Sequence, residues 1–295
     1  MAAPLPWSPP TTTFLQYAAD APRARPLTYP GSPPPTSVVQ LLDAEPVILT
    51  PAAAGTDGTG VGSLPLGSSK HGSTVDGLLA SLGAAVVADR VPVLAIGSNA
   101  CGAQMRHKAH AESFALGIPL LQATMVGARI THSSFLSSLG YVPATLAPAP
   151  GEVGTVHVQF LDADQVAALD RTEIGYQRRW LPAETVGVTL AGGKRLAGTY
   201  AYVSDGGTLG DPGDPGDPDG SDGSDGSDAT PLGDSWPLMP QPALFARLRA
   251  ASPTLSGLLA DDEESVTLAR TDAGWRRAVN AALVEAALVL PEVPF

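Results

Sequence analysis

Three patterns of apolar and polar positions alternate along the chain, and each predicts a different element. Short apolar runs bounded by turn residues read as strands. Ser37-Val38-Val39-Gln40-Leu41-Leu42 and Val47-Ile48-Leu49 fit two short ones, and Ala52 to Gly72 reads as a loop. The run Val91-Pro92-Val93-Leu94-Ala95-Ile96 stops abruptly at Gly97-Ser98-Asn99, which predicts a buried strand emptying into a small polar turn. Residues 117–130 contain at least one strand. Ser133 to Gly140 reads as a short polar connection, and Tyr141 to Leu146 as a strand edge. Val153 to Phe160, with its β-branched alternation, reads as a further strand. Val186–Leu190 and Thr199–Val203 read as a strand pair turned by Ala191-Gly192-Gly193-Lys194.

Helical periodicity marks other stretches. Ser73 offers a cap for a helix carrying Val75, Leu78, Leu79 and Leu82, which ends near Gly83 or runs on to Asp89. After Asn99 the chain turns basic and helix-like through Gln104, Arg106, His107 and Lys108. The clearest helix follows Asp162, a cap with Gln165 at the third helical position, a variant of the capping box. Val166 and Leu169 share its inner face, Glu173 falls on that face one turn later, and Gly175 stops the helix. An apolar stripe thus carries a carboxylate at its inner end, and carboxylates avoid a core unless paired or employed. Near the C-terminus, Pro242 opens a helix with Leu244, Phe245 and Leu248. Thr271 caps another with Trp275, Val279, Leu283, Ala286 and Leu290, ended by Pro291.

Composition divides the chain. Residues 1–72 form a Pro- and Gly-rich extension with short strands, its first 35 residues extended or irregular on the surface, and residues 73–206 a folded α+β domain. Residues 207–234 read as an acidic disordered tether of Asp-Pro-Gly and Ser-Asp-Gly triplets, and residues 235–295 as helices that pack back on the main domain. The spaced aspartates of the tether lack the apolar anchor and closing glutamate of a calcium-binding helix–loop–helix. The net charge of −12 argues against nucleic acid and anionic membrane as partners, although much of it lies in the tether. Only 5% of residues are aromatic, so aliphatic packing carries the core. The Ala, Gly and Pro bias fits a GC-rich bacterial genome. Cys101 is the only cysteine, which rules out an intrachain disulfide and fits a reducing compartment. No signal-peptide pattern or bilayer-length apolar segment is read, so a cytoplasmic protein is expected.

Several candidate chemistries fail on spacing. Ser98 does not sit in a Gly-x-Ser-x-Gly elbow, since Ile96 and Ala100 stand two residues either side. Cys101 near a helix start, with His107 or His110 as its base, is a possible nucleophile; a lone cysteine is more often a small buried residue. His107 and His110 lack a third ligand at matching spacing, so no metal is expected and a solvated face is the reading. His132 and His157 read as structural, and Arg178 and Arg179 as surface residues that pair with acids or steer a carboxylate substrate.

Two segments together point further. Ile96-Gly97-Ser98-Asn99 at the end of a strand, and Leu169-Asp170-Arg171-Thr172-Glu173 followed by Tyr176, resemble the gamma-glutamylcyclotransferase-like family. That family's signature is a strand ending in Tyr-Gly-Ser-Asn and a later Leu-Asp-x-x-Glu segment with a following Tyr. Pro150 to Val156 resembles the family's Gly-containing strand before the catalytic helix, and the resemblance spans roughly Val91 to Val203. It implies a small mixed β-barrel with flanking helices and a cofactor-free reaction. The α-amine of a γ-glutamyl compound attacks its own γ-carbonyl, giving 5-oxoproline and releasing an amine or amino acid. By the same resemblance Glu173 moves the protons, while Ile96, Gly97, Ser98, Asn99 and Tyr176 hold the substrate. The chemistry suits a carboxylate, which can take a proton from the attacking amine and return it to the leaving nitrogen. One departure stands out: the family's motif tyrosine is Ile96 here. A barrel that has lost its chemistry and serves as a binding or scaffold module is therefore the competing reading.

Overall fold

The structure, a computed structural model, describes residues 21–41, 45–49, 60–67, 74–115, 117–211 and 234–295. Ten strands and seven α-helices lie among them. The expected loop over 52–72 and the acidic tether fall largely outside the described residues, as does the expected cap Ser73.

The spine is one long hairpin, β4 (Gly117–His132) against β5 (Ala144–Leu161). Sequence alternation resolves only pieces of it, because Ala147 to Glu152 carries no β-branched pattern. The antiparallel ladder nevertheless runs from Leu120↔Gln159 to His132↔Ala144. A register shift between Val126 and Gly127 bends it, and the φ of Gly127, +94°, is one that only glycine adopts easily. On one edge of β4, two strands follow each other: β1 (Val38–Leu41) pairs with residues 117–120 and β7 (Gly187–Leu190) with residues 123–126. The other edge of the hairpin takes β3 (Val91–Leu94) antiparallel to β5. Next come β8 (Gly198–Ser204), parallel to β3, and β6 (Tyr176–Pro182), antiparallel to β8. The short β2 (Val47–Ile48) completes the far side beside β1.

The architecture is a mixed α+β fold on one large mixed sheet whose path, β2-β1-β4-β5-β3-β8-β6 with β7 on β4, remains open. This corrects the closed small barrel implied by the family resemblance. It also corrects the expected pairing of the strands at 186–190 and 199–203. The Leu190–Lys194 turn returns the chain only as far as a bridge between Thr189 and Arg195, and β8 then joins β3 and β6. The sheet still curls round an aliphatic core of Leu94, Ile96, Leu121, Met125, Val158, Val188 and Val203.

Three helices flank this part of the sheet, and the second and third position the site. Helix α1 (Val75–Ser81) is capped by Thr74, whose side chain accepts the Gly77 N–H, and it stops before Gly83 at φ +67°. Strand β3 then runs into a single 3-10 turn over Gly97–Ala100, followed by α2 (Gly102–Glu112). Helix α3 (Ala163–Thr172) begins at the expected capping box: Asp162 accepts the Gln165 N–H at 2.9 Å, and Gln165 accepts the Asp162 N–H at 3.1 Å. Met105 and Ala109 of α2 pack with Val166, Ala168 and Leu169 of α3 and with Val93 and Tyr202 of the sheet. That packing fixes the strand–turn–helix against the C-terminal end of α3.

The C-terminal part holds four helices, α4 (Gln241–Ala251), α5 (Pro253–Leu258), α6 (Asp262–Thr271) and α7 (Ala273–Glu285). Their apolar faces gather Leu244, Phe245, Leu255, Val266, Val279 and Leu283 around Leu136, Val142 and Trp236 of the main sheet region. Thr271 ends α6; Asp272 caps α7 instead, accepting the Gly274 and Trp275 N–H groups. Leu290 lies beyond that helix, in β10 (Val289–Leu290), paired with β9 (Thr208–Leu209). Among the described residues 21–35, part of the chain departs from the expected surface path. Pro26, Tyr29 and Pro30 are buried, Tyr29 stacked on Tyr141 with ring centroids 4.3 Å apart.

Candidate active site

Glu173 is the residue after the last turn of α3, with φ −92° and ψ 58°. Its N–H still bonds Leu169 O, while its own carbonyl accepts the Tyr176 N–H across a turn that Gly175 makes at φ +82°. The sequence therefore lifts Glu173 off the helix axis at the point where α3 meets the loop after β3. Its carboxylate Oε1 accepts a hydrogen bond from Asn99 Nδ2 at 3.0 Å. The Gly97-Ser98-Asn99 turn and the glutamate, 74 residues apart in the chain, thus meet side chain to side chain.

A third group closes the arrangement. Lys108, on α2, places Nζ 2.5 Å from the same Oε1 and donates to Asn99 Oδ1 at 2.8 Å. Glu173, Lys108 and Asn99 form a closed triangle in which the amide accepts from the ammonium and donates to the carboxylate. The side chains of Lys108 and Glu173 are 11% and 14% exposed, so the pair is shielded enough to be held by geometry rather than by chance encounter. Both hydrogen bonds go to Oε1 of Glu173, and Oε2 makes none among the described residues. Sequence reading saw Lys108 only as part of a basic helix. Its signal was position: it directly precedes Ala109 on the buried Met105–Ala109 stripe, at the edge of the face that α2 turns to α3.

Tyrosines wall the site. Tyr176 donates to Ala144 O at 2.9 Å, and the Ala144 N–H donates to the Tyr29 hydroxyl at 2.5 Å. Ser98 is close enough to the Tyr141 hydroxyl to offset part of its raised pKa. Burial pushes the phenols of Tyr29, Tyr141 and Tyr176 well above the usual range, and the negative charge of Glu173 adds to each shift. All three are held as neutral hydroxyls, able to donate. Tyr29 and Tyr141 were not singled out from the sequence.

The structure places the remaining candidates as follows. Gly97 and Ser98 are half-buried in the turn, and Asn99 is buried. Ile96 is buried in the sheet's aliphatic core with Leu94 and Val158. Cys101 is buried, and desolvation pushes its thiol pKa up, which disfavours the thiolate a nucleophile needs. His107 and His110 are exposed on α2. Among the described residues no three His, Cys, Asp or Glu side chains group as metal ligands. Burial lowers His132 to about 3, and its Nε2 accepts the Met239 N–H at 3.0 Å; burial likewise lowers His157 to about 4. Arg178 grips Asp170 with two hydrogen bonds, and Arg179 pairs with Glu292. Asp170 also accepts from Tyr202 at 2.8 Å, so it braces α3 against β8.

The larger of two described cavities, about 530 Å³, lies elsewhere. It opens between β5, β8 and the C-terminal tail, beside Arg129, Thr145, Ser204 and Leu290, and neither Glu173 nor the turn lines it. Its wall reaches Thr145, next to the Ala144 that anchors Tyr29 and Tyr176.

No family model and no curated protein matches the chain. Solved structures that match over 39% of the chain include a protein of Arabidopsis thaliana, at 16% identity, TM-score 0.29 and 69% of that chain. A human protein described as uncharacterized is 17% identical, with TM-score 0.32 over 67% of its chain. A gamma-glutamyl cyclotransferase is 16% identical, with TM-score 0.31 over 66% of its chain. No helix among the described residues is long and apolar enough to cross a membrane.

Proposed function

We propose that the chain is a gamma-glutamylcyclotransferase-like enzyme that cyclises a γ-glutamyl compound to 5-oxoproline and releases an amine or amino acid. The observation that supports this most is the 3.0 Å hydrogen bond from Asn99 to the Glu173 carboxylate, which brings the two separate family-like motifs into one site. The substrate's α-amino nitrogen attacks its γ-carbonyl carbon, forming the ring C–N bond. Glu173 accepts the proton lost by that nitrogen, through Oε2. The tetrahedral carbon then expels the original amide nitrogen, which takes the proton from Glu173 as the exocyclic C–N bond breaks. Substrate atoms alone supply lactam and amine, with neither water nor redox cofactor consumed. Asn99 and Lys108 orient the carboxylate from its other oxygen, while Gly97, Ser98 and Tyr176 supply the nearby wall.

The test is incubation of the purified protein with a panel of γ-glutamyl amines and dipeptides, reading 5-oxoproline. The expected result is lactam from at least one substrate and a loss of on the order of a hundred- to ten-thousandfold in rate for Glu173→Gln. No lactam from any compound, or an unaltered rate in the variant, would overturn the proposal. A second reading rests on two observations: Oε1 of Glu173 is already held by Lys108 and Asn99, and Ile96 replaces the family's tyrosine within the core. On that reading the triangle is a structural lock in a binding module. A wild-type protein inactive on the whole panel, with Glu173→Gln lowering only its melting temperature, supports it.

A further inference from the structure

Tyr29 stands in the wall of this site although its segment lies outside the stretch that resembles any family motif. Three observations fix its hydroxyl. The oxygen accepts the Ala144 N–H at 2.5 Å, so one lone pair is spent on the backbone of β5. The ring is stacked on Tyr141 with centroids 4.3 Å apart, which holds it in place. The oxygen also lies directly over Gly97: a Cβ on that glycine would collide with it. With only 3% of Tyr29 exposed, its hydroxyl proton nevertheless has no acceptor among the described residues. A buried hydroxyl normally finds a partner for its proton, and one that is aimed at a catalytic turn without one is poised for a ligand oxygen.

We propose that Tyr29 is a catalytic residue of the cyclisation, its hydroxyl donating a hydrogen bond to the γ-carbonyl oxygen as negative charge develops there. This rests on the cyclotransferase reading of Glu173. The geometry of the Tyr29 hydroxyl is preorganised in the sense that matters for such donors: the backbone amide and the stacked ring hold it before substrate arrives, so no reorganisation accompanies the charge. Gly97 is the complementary half of the device, because a side chain there would displace the phenol from the turn. Tyr176 is less suited to the task, since its own proton is already given to Ala144 O.

The deciding variant is Tyr29→Phe, which keeps the stacked ring and removes only the hydroxyl. On the best substrate of the panel, kcat is expected to fall on the order of a hundredfold with KM changed by less than about threefold, the signature of a donor used in the transition state. A structural role for the hydroxyl would move the melting temperature and leave kcat standing; an unaltered kcat overturns the proposal while the cyclotransferase reading survives. Titration of 5-oxoproline into both proteins reads the same contact without turnover. Affinity at least about fivefold weaker in Tyr29→Phe supports the hydrogen bond even if no panel compound is cyclised. Equal affinity in the two proteins, or binding to neither, overturns it.

Discussion

Lys108 and Glu173 are joined Nζ to Oε1 at 2.5 Å, with Asn99 bridging the two from the side. A lysine on α2 and a glutamate at the end of α3 therefore lock together the two elements that carry the site. Both are shielded, so removing one leaves the other charge poorly compensated.

Lys108→Met is accordingly expected to lower stability by about 3 kcal/mol, since it leaves Glu173 shielded and unpaired. It is also expected to reduce turnover at least tenfold by releasing the carboxylate from its orientation. The double variant Lys108→Met with Glu173→Leu regains much of the stability and none of the activity. Chemical denaturation of the three variants checks this; a Lys108→Met protein as stable as wild type would show that the pair contributes nothing.

Gly97 has φ +56° beneath the Tyr29 hydroxyl. Gly97→Ala adds both the strain of a left-handed backbone, about 1 kcal/mol, and a collision with the phenol. Denaturant midpoints are expected to fall, and activity to drop more than the stability loss explains. The companion Gly193→Ala also sits at positive φ, +90°, but with open space around it, and measures the backbone strain by itself.

Acid sensitivity follows from the buried histidines. An imidazole in the unfolded chain titrates near about 6.5, whereas burial holds His132 at about 3 and His157 at about 4. Between those values the unfolded chain carries protons that the native protein does not. The stability contributed by each neutral imidazole is complete above about pH 6.5 and is lost as pH falls toward the native value. The expected slope is up to about 1.4 kcal/mol per pH unit for each histidine. Melting temperatures between pH 7 and 4.5 measure it. His132→Gln, which keeps an acceptor for the Met239 N–H, is expected to flatten the curve, and identical slopes would contradict the assignment.

Cys101 is fully buried, and desolvation raises its thiol pKa. A thiol reagent at neutral pH is expected to leave the native protein unlabelled and to label one site per chain in denaturant. Rapid native labelling, with loss of activity, would instead bring the thiol back as a functional group.

Local patterns made much of this protein legible. The apolar run before Gly97, the Asp162–Gln165 capping box and the stop at Gly175 are set by contacts within a few residues, and the structure contains each of them. The position of Glu173 was readable for the same reason: its spacing from Val166 and Leu169 put it at the inner end of the stripe. Caps were less secure where two neighbouring residues both offered an oxygen, as with Thr271 and Asp272, because the backbone angles at the junction decide which side chain can reach.

What only the tertiary structure decided is pairing across distance. Val186–Leu190 carries the same strand pattern whichever edge it joins; it settled on β4 because β1 covers only residues 117–120 and leaves that edge open from Ala123 to Val126. Lys108 and Tyr29 are, to a local pattern, a surface lysine and a residue in a proline-rich stretch. They stand beside Glu173 and Gly97 because packing of α2 on α3, and of Tyr29 on Tyr141, brought groups 65 and 115 residues distant into hydrogen-bonding range. Amphipathic spacing tells which face of an element is buried; it contains no information about which other element buries it.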